Sequence, residues 1–208
     1  MQIDTIDIVI LDISKELELS SGDVLSYRPD GKKIRERIIE IISNSNIIFR
    51  YINLSFEGIE ICDISVVDEV VLEIMLYFRN SGTNSVIYLS NIYDYVYDSI
   101  QAAQLLKEKK LSLLAKEKIK LPLLVYDQIK GLEILGDIET VLEEAFNIIK
   151  INKVVTAREI SALKDIAINS ASNRLKKLYD YGLVFRNSSY DETGKYYEYI
   201  LPAIIGSP

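Results

Sequence analysis

Runs rich in β-branched residues alternate with helix-patterned segments along the first two thirds of the chain, and no other feature limits the fold as much. Residues 3–12 read Ile-Asp-Thr-Ile-Asp-Ile-Val-Ile-Leu-Asp, a partly alternating strand pattern. Ser20, Ser21, Gly22, Pro29 and Gly31 mark a polar loop. From Lys32 the apolar positions Ile34, Ile38, Ile39 and Ile42 adopt helical spacing, and Asn44 and Asn46 end that helix. Residues 47–56 form a second strand, and Gly58 opens a loop through Asp63. A helix follows from Ser65, with Val67, Val70, Val71, Ile74, Tyr77 and Phe78 on its apolar face and Gly82 as a left-handed cap. Residues 85–89 and 121–126 are strands, and residues 93–118 are helical. Such alternation implies an α/β domain, a mixed central sheet with flanking helices.

Past Gly136 the pattern changes. Residues 138–149 form a helix with Val141, Leu142, Ala145, Phe146 and Ile149 on one side. Two shorter helical segments cover 154–163 and 167–181. A polar turn over 187–194 then separates β-rich pieces at 183–186 and 196–201. Three helices and a hairpin predict an α+β module with the outline of a winged helix-turn-helix. The expected domains are therefore 1–136 and 137–208.

Composition narrows the chemistry. The 208 residues include no His and one Cys. His-based triads and imidazole zinc sites are excluded, and so are intrachain disulfides at Cys62. Gly131-Leu-Glu-Ile-Leu-Gly136 lacks the dinucleotide-loop fingerprint, and no phosphate-binding P-loop segment occurs. No nucleophile–base pair stands out, and the spacing of Asp63, Asp68 and Glu69 does not ask for a metal. We therefore expect no enzyme and no cofactor; an enzyme of unfamiliar type is the third choice. An acidic start, one reduced Cys and the lack of a long apolar run lead us to expect a cytoplasmic protein with no membrane segment.

The net charge of −7 argues against a nucleic-acid coat, but it is unevenly spread. Residues 1–136 hold 15 basic and 21 acidic residues, whereas 137–208 hold 9 and 10. In the second part Thr156-Ala-Arg-Glu159 forms a capping box, with Ile160 and Leu163 turned inward. Asn169 or Ser170 can cap the next helix. There Ala171, Leu175 and Leu178 form a buried stripe, leaving Ser170, Asn173, Arg174 and Lys177 on the opposite face with Ser172 and Lys176 at its edges. Small polar residues followed by cations suit a helix that enters the major groove, with Arg186 and Lys195 on the hairpin meeting the backbone.

This segment resembles the winged-helix transcription regulators, on Thr156-Ala-Arg-Glu-Ile, Asn169-Ser-Ala-Ser-Asn-Arg-Leu-Lys-Lys-Leu and Tyr181-Gly-Leu-Val-Phe-Arg. The resemblance implies that the second of these helices reads double-stranded DNA and the hairpin is the wing. A homodimer would place two such helices on two half-sites. The bland alternative is a protein-contact module with a solvated basic face.

The first part resembles the STAS fold of anti-sigma-factor antagonists. A strand, the Gly58 loop and Cys62-Asp-Ile-Ser65 lead into an amphipathic helix. The match extends to a STAS-like family of largely unassigned function with Gly…Arg…Gly…Arg before the second strand, here Gly22, Arg28, Gly31 and Arg35 or Arg37. Ser65-Val-Val-Asp-Glu69 is similar to that family's Ser-Phe-Leu-Asp-Glu. In many antagonists the serine matching Ser65 is phosphorylated, which switches binding to a protein partner. Ile64 and Val66 depart from the antagonist turn, and by itself Ser65 is a helix cap with Asp68 completing a capping-box-like pair.

Two other features complete the survey. The Lys107–Lys120 stretch reads as a solvated helix face, and Tyr93, Tyr95 and Tyr97 as core or interface filling. The sequence as a whole points to a DNA-binding transcriptional regulator with a STAS-like sensing, docking or dimerisation domain. The alternative is a partner-switching component whose winged helix contacts protein.

Overall fold

A computed structural model describes residues 3–19, 23–44, 49–192 and 194–202. The chain divides into two compact units, Met1–Gly136 and Asp137–Pro208. The first is an α/β unit with a mixed sheet and flanking helices.

Its five strands are β1 (Ile3–Val9), β3 (Phe49–Ser55), β5 (Asn84–Ser90), β6 (Leu123–Asp127) and β7 (Gly131–Leu135), in the order β1-β3-β5-β6-β7. The first four are parallel and β7 is antiparallel to β6. Every parallel connection advances the same way across the sheet, so right-handed crossovers place the linking helices on one face. There Ile8, Ile52, Leu54, Leu89, Leu123 and Leu135 of the sheet meet α2 (Arg28–Ser43), α3 (Ile64–Val67), α4 (Ile74–Asn80) and α5 (Asp94–Ala115) in one core. A two-residue pair, β2 (Val24–Leu25) with β4 (Ile61–Cys62), lies outside the main sheet.

Several boundaries differ from expectation. Residues 3–12 are not one strand. The chain turns at Val9 into α1 (Ile10–Glu16), because Ile10 and Ile13, three apart, both enter the core. The next helix starts at Arg28 rather than Lys32. Pro29 falls in its first turn, where a missing N–H is harmless. Gly31 is inside that helix because the neighbouring helix crosses there; a Cβ would stand 3.2 Å from Val66 Cα. Residues 45–48, and with them Asn46 and the expected start of the second strand, lie outside the described residues, as does Gly22. Gly131–Leu135, within the segment that lacks the dinucleotide-loop fingerprint, is a strand paired through a tight turn in which Asp127 Oδ1 accepts from the Ile129 and Lys130 amides.

The helix after Asp63 runs as α3, a π-helical segment Asp68–Glu73, and α4. The wider π turn brings residues five apart onto one side. Tyr77, expected on the apolar face, is half exposed, while Phe78 is buried.

The second unit contains α6 (Thr140–Asn152), β8 (Val154–Thr156), α7 (Ala157–Lys164), α8 (Ile168–Asp180), β9 (Phe185–Asp191) and β10 (Gly194–Ile200). Its antiparallel sheet has the order β8-β10-β9. The helix expected over 154–163 starts only at Ala157, and the three residues before it form β8. It is held by Val155 opposite Tyr199. The hairpin strands run well into the segment expected to be turn, since Tyr190, Asn187 and Ser189 pair across it. Leu142, Ala145, Phe146, Ile149, Ile160, Ala171, Leu175 and Leu178 are buried. Val141 and Leu163 are instead exposed, each lying off the buried side of its short helix.

Candidate functional site: a helix–hairpin groove and a buried ion cluster

In the second unit Thr156 caps α7 reciprocally. Its hydroxyl accepts from the Glu159 amide at 3.3 Å, and Glu159 Oε2 accepts from the Thr156 amide at 2.6 Å. This fixes where Arg158 leaves the helix. Arg158 donates to Asp191 Oδ2 on the hairpin at 2.7 Å and lies 5.9 Å from the Tyr196 ring centre. The cap of α8 differs from expectation. Its N-cap is Ala167, with no side-chain bond, and Asn169 and Ser170 are both inside the first turn.

The expected face of α8 is present. Asn173 and Lys176 are exposed, and Ser170, Ser172, Arg174 and Lys177 are half-buried. Its cations are not equivalent. Lys176 donates to Asp180 Oδ2 at 2.5 Å, one turn along the helix. Lys177 donates to Glu139 Oε1 at 2.5 Å, and that bond raises its pKa. Among the described residues neither Arg174 nor Lys195 has an ion-pair partner. Arg186 is held against aromatic faces, 4.2 Å from the Tyr179 centre and 4.7 Å from that of Tyr197.

The start of α8 and the hairpin enclose a groove of about 530 Å³. Its lining includes Thr156, Arg158 with its partner Asp191, Asn169, Ser172, Lys195, Tyr196 and Tyr197. Thus Ser172 and Lys195, singled out in the sequence on separate elements, both line one groove. Ser170, Asn173, Arg174, Lys176, Lys177 and Arg186 lie outside it. Arg158 was missed as a site residue because in sequence it is only the filler of a capping box.

In the first unit the residues around Ser65 form a charged cluster. Arg28 Nη1 donates to Asp68 Oδ2 at 2.9 Å and Glu69 Oε1 at 2.7 Å. Arg35 Nη1 donates to Glu69 Oε2 at 2.5 Å, so both oxygens of a buried carboxylate are engaged. Lys107 Nζ donates to Asp68 Oδ1 at 2.8 Å and also to Glu73, five residues on, a pair the π turn aligns. Arg28, Gly31 and Arg35 lie at i, i+3 and i+7 on one side of α2, facing the carboxylates. Arg37 lies off that side and pairs with Glu16 and Glu40 at the surface.

Ser65 is not the cap. Asp63 is, and its Oδ1 accepts from the Ser65 amide at 2.7 Å. The Ser65 hydroxyl and amide hold the Asp63 carboxyl below its ordinary range. Asp68 completes no capping pair, because Arg28 and Lys107 claim it. Nor is the Lys107–Lys120 stretch a uniformly solvated face: Lys107 is buried in this cluster, and Lys120 reaches Glu108 at 3.5 Å. Tyr93 and Tyr95 do not fill the core; they are 53% and 77% exposed. Burial pushes the Cys62 thiol up to about 12, which removes it as a nucleophile near neutral pH.

The cluster couples stability to pH. Burial alone would raise the Asp68 pKa, but hydrogen bonds from Lys107 and Arg28 outweigh it and leave the group lowered. Its contribution is therefore complete above the unfolded value, about 4, and disappears as pH falls through the lower folded value. The urea midpoint should stay level near neutrality and drop on acidification below that point. Asp68→Asn should flatten this acid limb while lowering the neutral plateau. An unchanged acid limb in the variant would remove Asp68 from the account.

No protein-family model matches the chain, and no curated protein matches it.

Proposed function

We propose that the chain is a DNA-binding transcriptional regulator. The second unit acts as a winged helix, and the first acts as a STAS-like docking, sensing or dimerisation domain in a homodimer. The observation that carries the DNA-binding role is the groove lined together by Ser172 and Asn169 of α8, Lys195 of the hairpin and Arg158. Polar helix-start residues beside the Lys195 ammonium suit contact with a duplex edge and its phosphates, while Arg158 is shared with Asp191. The STAS-like assignment is supported by Arg28, Gly31 and Arg35 meeting Asp68–Glu69, the residues on which the resemblance rests.

The experiment is binding of the full chain to genomic duplex fragments at two salt concentrations. Binding should weaken with salt, and Arg174→Ala should reduce the log–log salt slope by about 0.9 if the residue neutralises one phosphate. Lys176→Ala, Lys177→Ala and Arg158→Ala should each matter less, because Asp180, Glu139 and Asp191 already engage those cations. Absence of salt-dependent binding to any fragment would sink the regulator reading.

One observation favours a second reading, a partner-switching component whose winged helix contacts protein. Lys176 and Lys177 are both neutralised within the unit, leaving α8 less cationic than its sequence. A Ser65→Asp variant that changes capture of a protein partner, in a chain that binds no DNA, would establish it.

A further inference from the structure

The carboxyl ends of parallel strands in an open α/β sheet are where such folds usually leave room for a ligand. In the first unit the loops after β3, β5 and β6 converge at that end around a crevice of about 540 Å³, within the size range of small-molecule sites. Its chemistry is one-sided. Glu57 and Asp127 contribute carboxylates, Tyr93 and Tyr126 contribute rings, and Ile129 contributes an apolar side chain that is 95% exposed. The described lining residues include no Lys or Arg.

The walls are fixed rather than improvised. Asn91, at φ +53, donates from Nδ2 to Ser55 Oγ at 2.9 Å, and the Glu57 amide donates to the same oxygen at 3.2 Å. Asp127 accepts two backbone amides at 2.8 Å each, from Lys130 and Ile129, which lower its pKa and keep it ionised. The cation nearest in sequence, Lys130, lies 3.7 Å from Glu133, and its charge also acts on Asp127. The side chain of Glu57 has no such neighbour and makes no ion pair among the described residues. Carboxylates and electron-rich ring faces both attract positive charge, and a cation can satisfy them together.

We propose that this crevice binds an organic monocation, an ammonium group carried on an apolar or aromatic body. The ammonium is directed to Glu57 and Asp127, and the body lies along Tyr93, Tyr126 and Ile129. The site lies wholly in the first unit and does not depend on the DNA-binding reading.

Tyramine is a suitable probe, with 4-hydroxyphenylacetate as a control of similar body and opposite charge. The full chain is titrated with each, following backbone amide resonances and heat. Tyramine should saturate at millimolar concentration or below and shift Tyr93, Tyr126 and Ile129, while the anion should not. Glu57→Gln and Asp127→Asn should each weaken tyramine by about tenfold, one charge contact's worth. The Asn variant keeps an acceptor oxygen for the Ile129 and Lys130 amides, so its turn survives. No saturable tyramine binding, equal binding of the anion, or undiminished affinity in both variants would overturn the proposal.

Discussion

Glu69→Ala is expected to destabilise the first unit by about 3 kcal/mol, seen as a lower urea midpoint with an unchanged slope. Glu69 is 3% exposed, and its two oxygens accept from Arg28 and Arg35. Removing it leaves two guanidiniums facing a space that water enters poorly. The effect should sit at the low end for a broken buried pair, because the Arg28 and Arg35 side chains retain 44% and 24% exposure and can be partly rehydrated. Glu69→Gln, which keeps one acceptor oxygen, should fall between the two. Lys176→Ala breaks a surface pair and should change stability by no more than about 0.5 kcal/mol. If Glu69→Ala were as mild as Lys176→Ala, the cluster would not be holding α2 to the helix after Asp63.

Gly136→Ala is the second large effect, again about 3 kcal/mol, from two sources. Gly136 has φ +104, which L-residues rarely adopt. Its Cβ would also stand 2.1 Å from Gln104 Nε2. That amide donates to Leu121 O at 2.8 Å and Leu135 O at 3.2 Å, tying α5 to the chain around β6 and β7. The new methyl must displace it and leave buried carbonyls unpaired. Two measurements separate the contributions. Gly82→Ala, at φ +69 with nothing within 4 Å of its Cβ, should show the cost of a left-handed backbone without a collision, about 1 kcal/mol, a lower bound on the backbone part at φ +104. Adding Gln104→Ala to Gly136→Ala should destabilise less than the two single changes together, because the collision is then gone. Strict additivity would contradict the proximity.

What the sequence revealed followed from local periodicity. The strands over β3, β5 and β6, the cores of α2, α5 and α6, and the Thr156 capping box are all written in spacings of two, three or four residues. What it hid depends on partners distant in the chain. A strand of three residues, β8, carries no period and exists because Tyr199 pairs with Val155. Residues 3–12 gave one apolar run for two elements, and only the burial of Ile10 and Ile13 tells the helix from the strand. At the charged sites the limit is the same. Arg35 and Arg37 are equivalent in sequence, and the crossing at Gly31 decides which one meets Glu69. Lys107 read as surface because the carboxylates that receive it lie 34 and 39 residues away. Arg158 was hidden by its place between two capping residues.

The mixed sheet also governs how the chain behaves in a crowd of its own kind. Its outer strands are β1 and β7, and an outer strand offers unpaired amides to any neighbouring molecule. β1 carries Asp4 and Asp7 among its seven residues. β7 is five residues long, begins at a left-handed Gly131, is followed by a left-handed Gly136, and displays Glu133. A strand from a second molecule pairing at either end would have to accept carboxylates along its length or stop within a few residues. Both ends of the sheet thus discourage the edge-to-edge growth by which strand-rich chains aggregate.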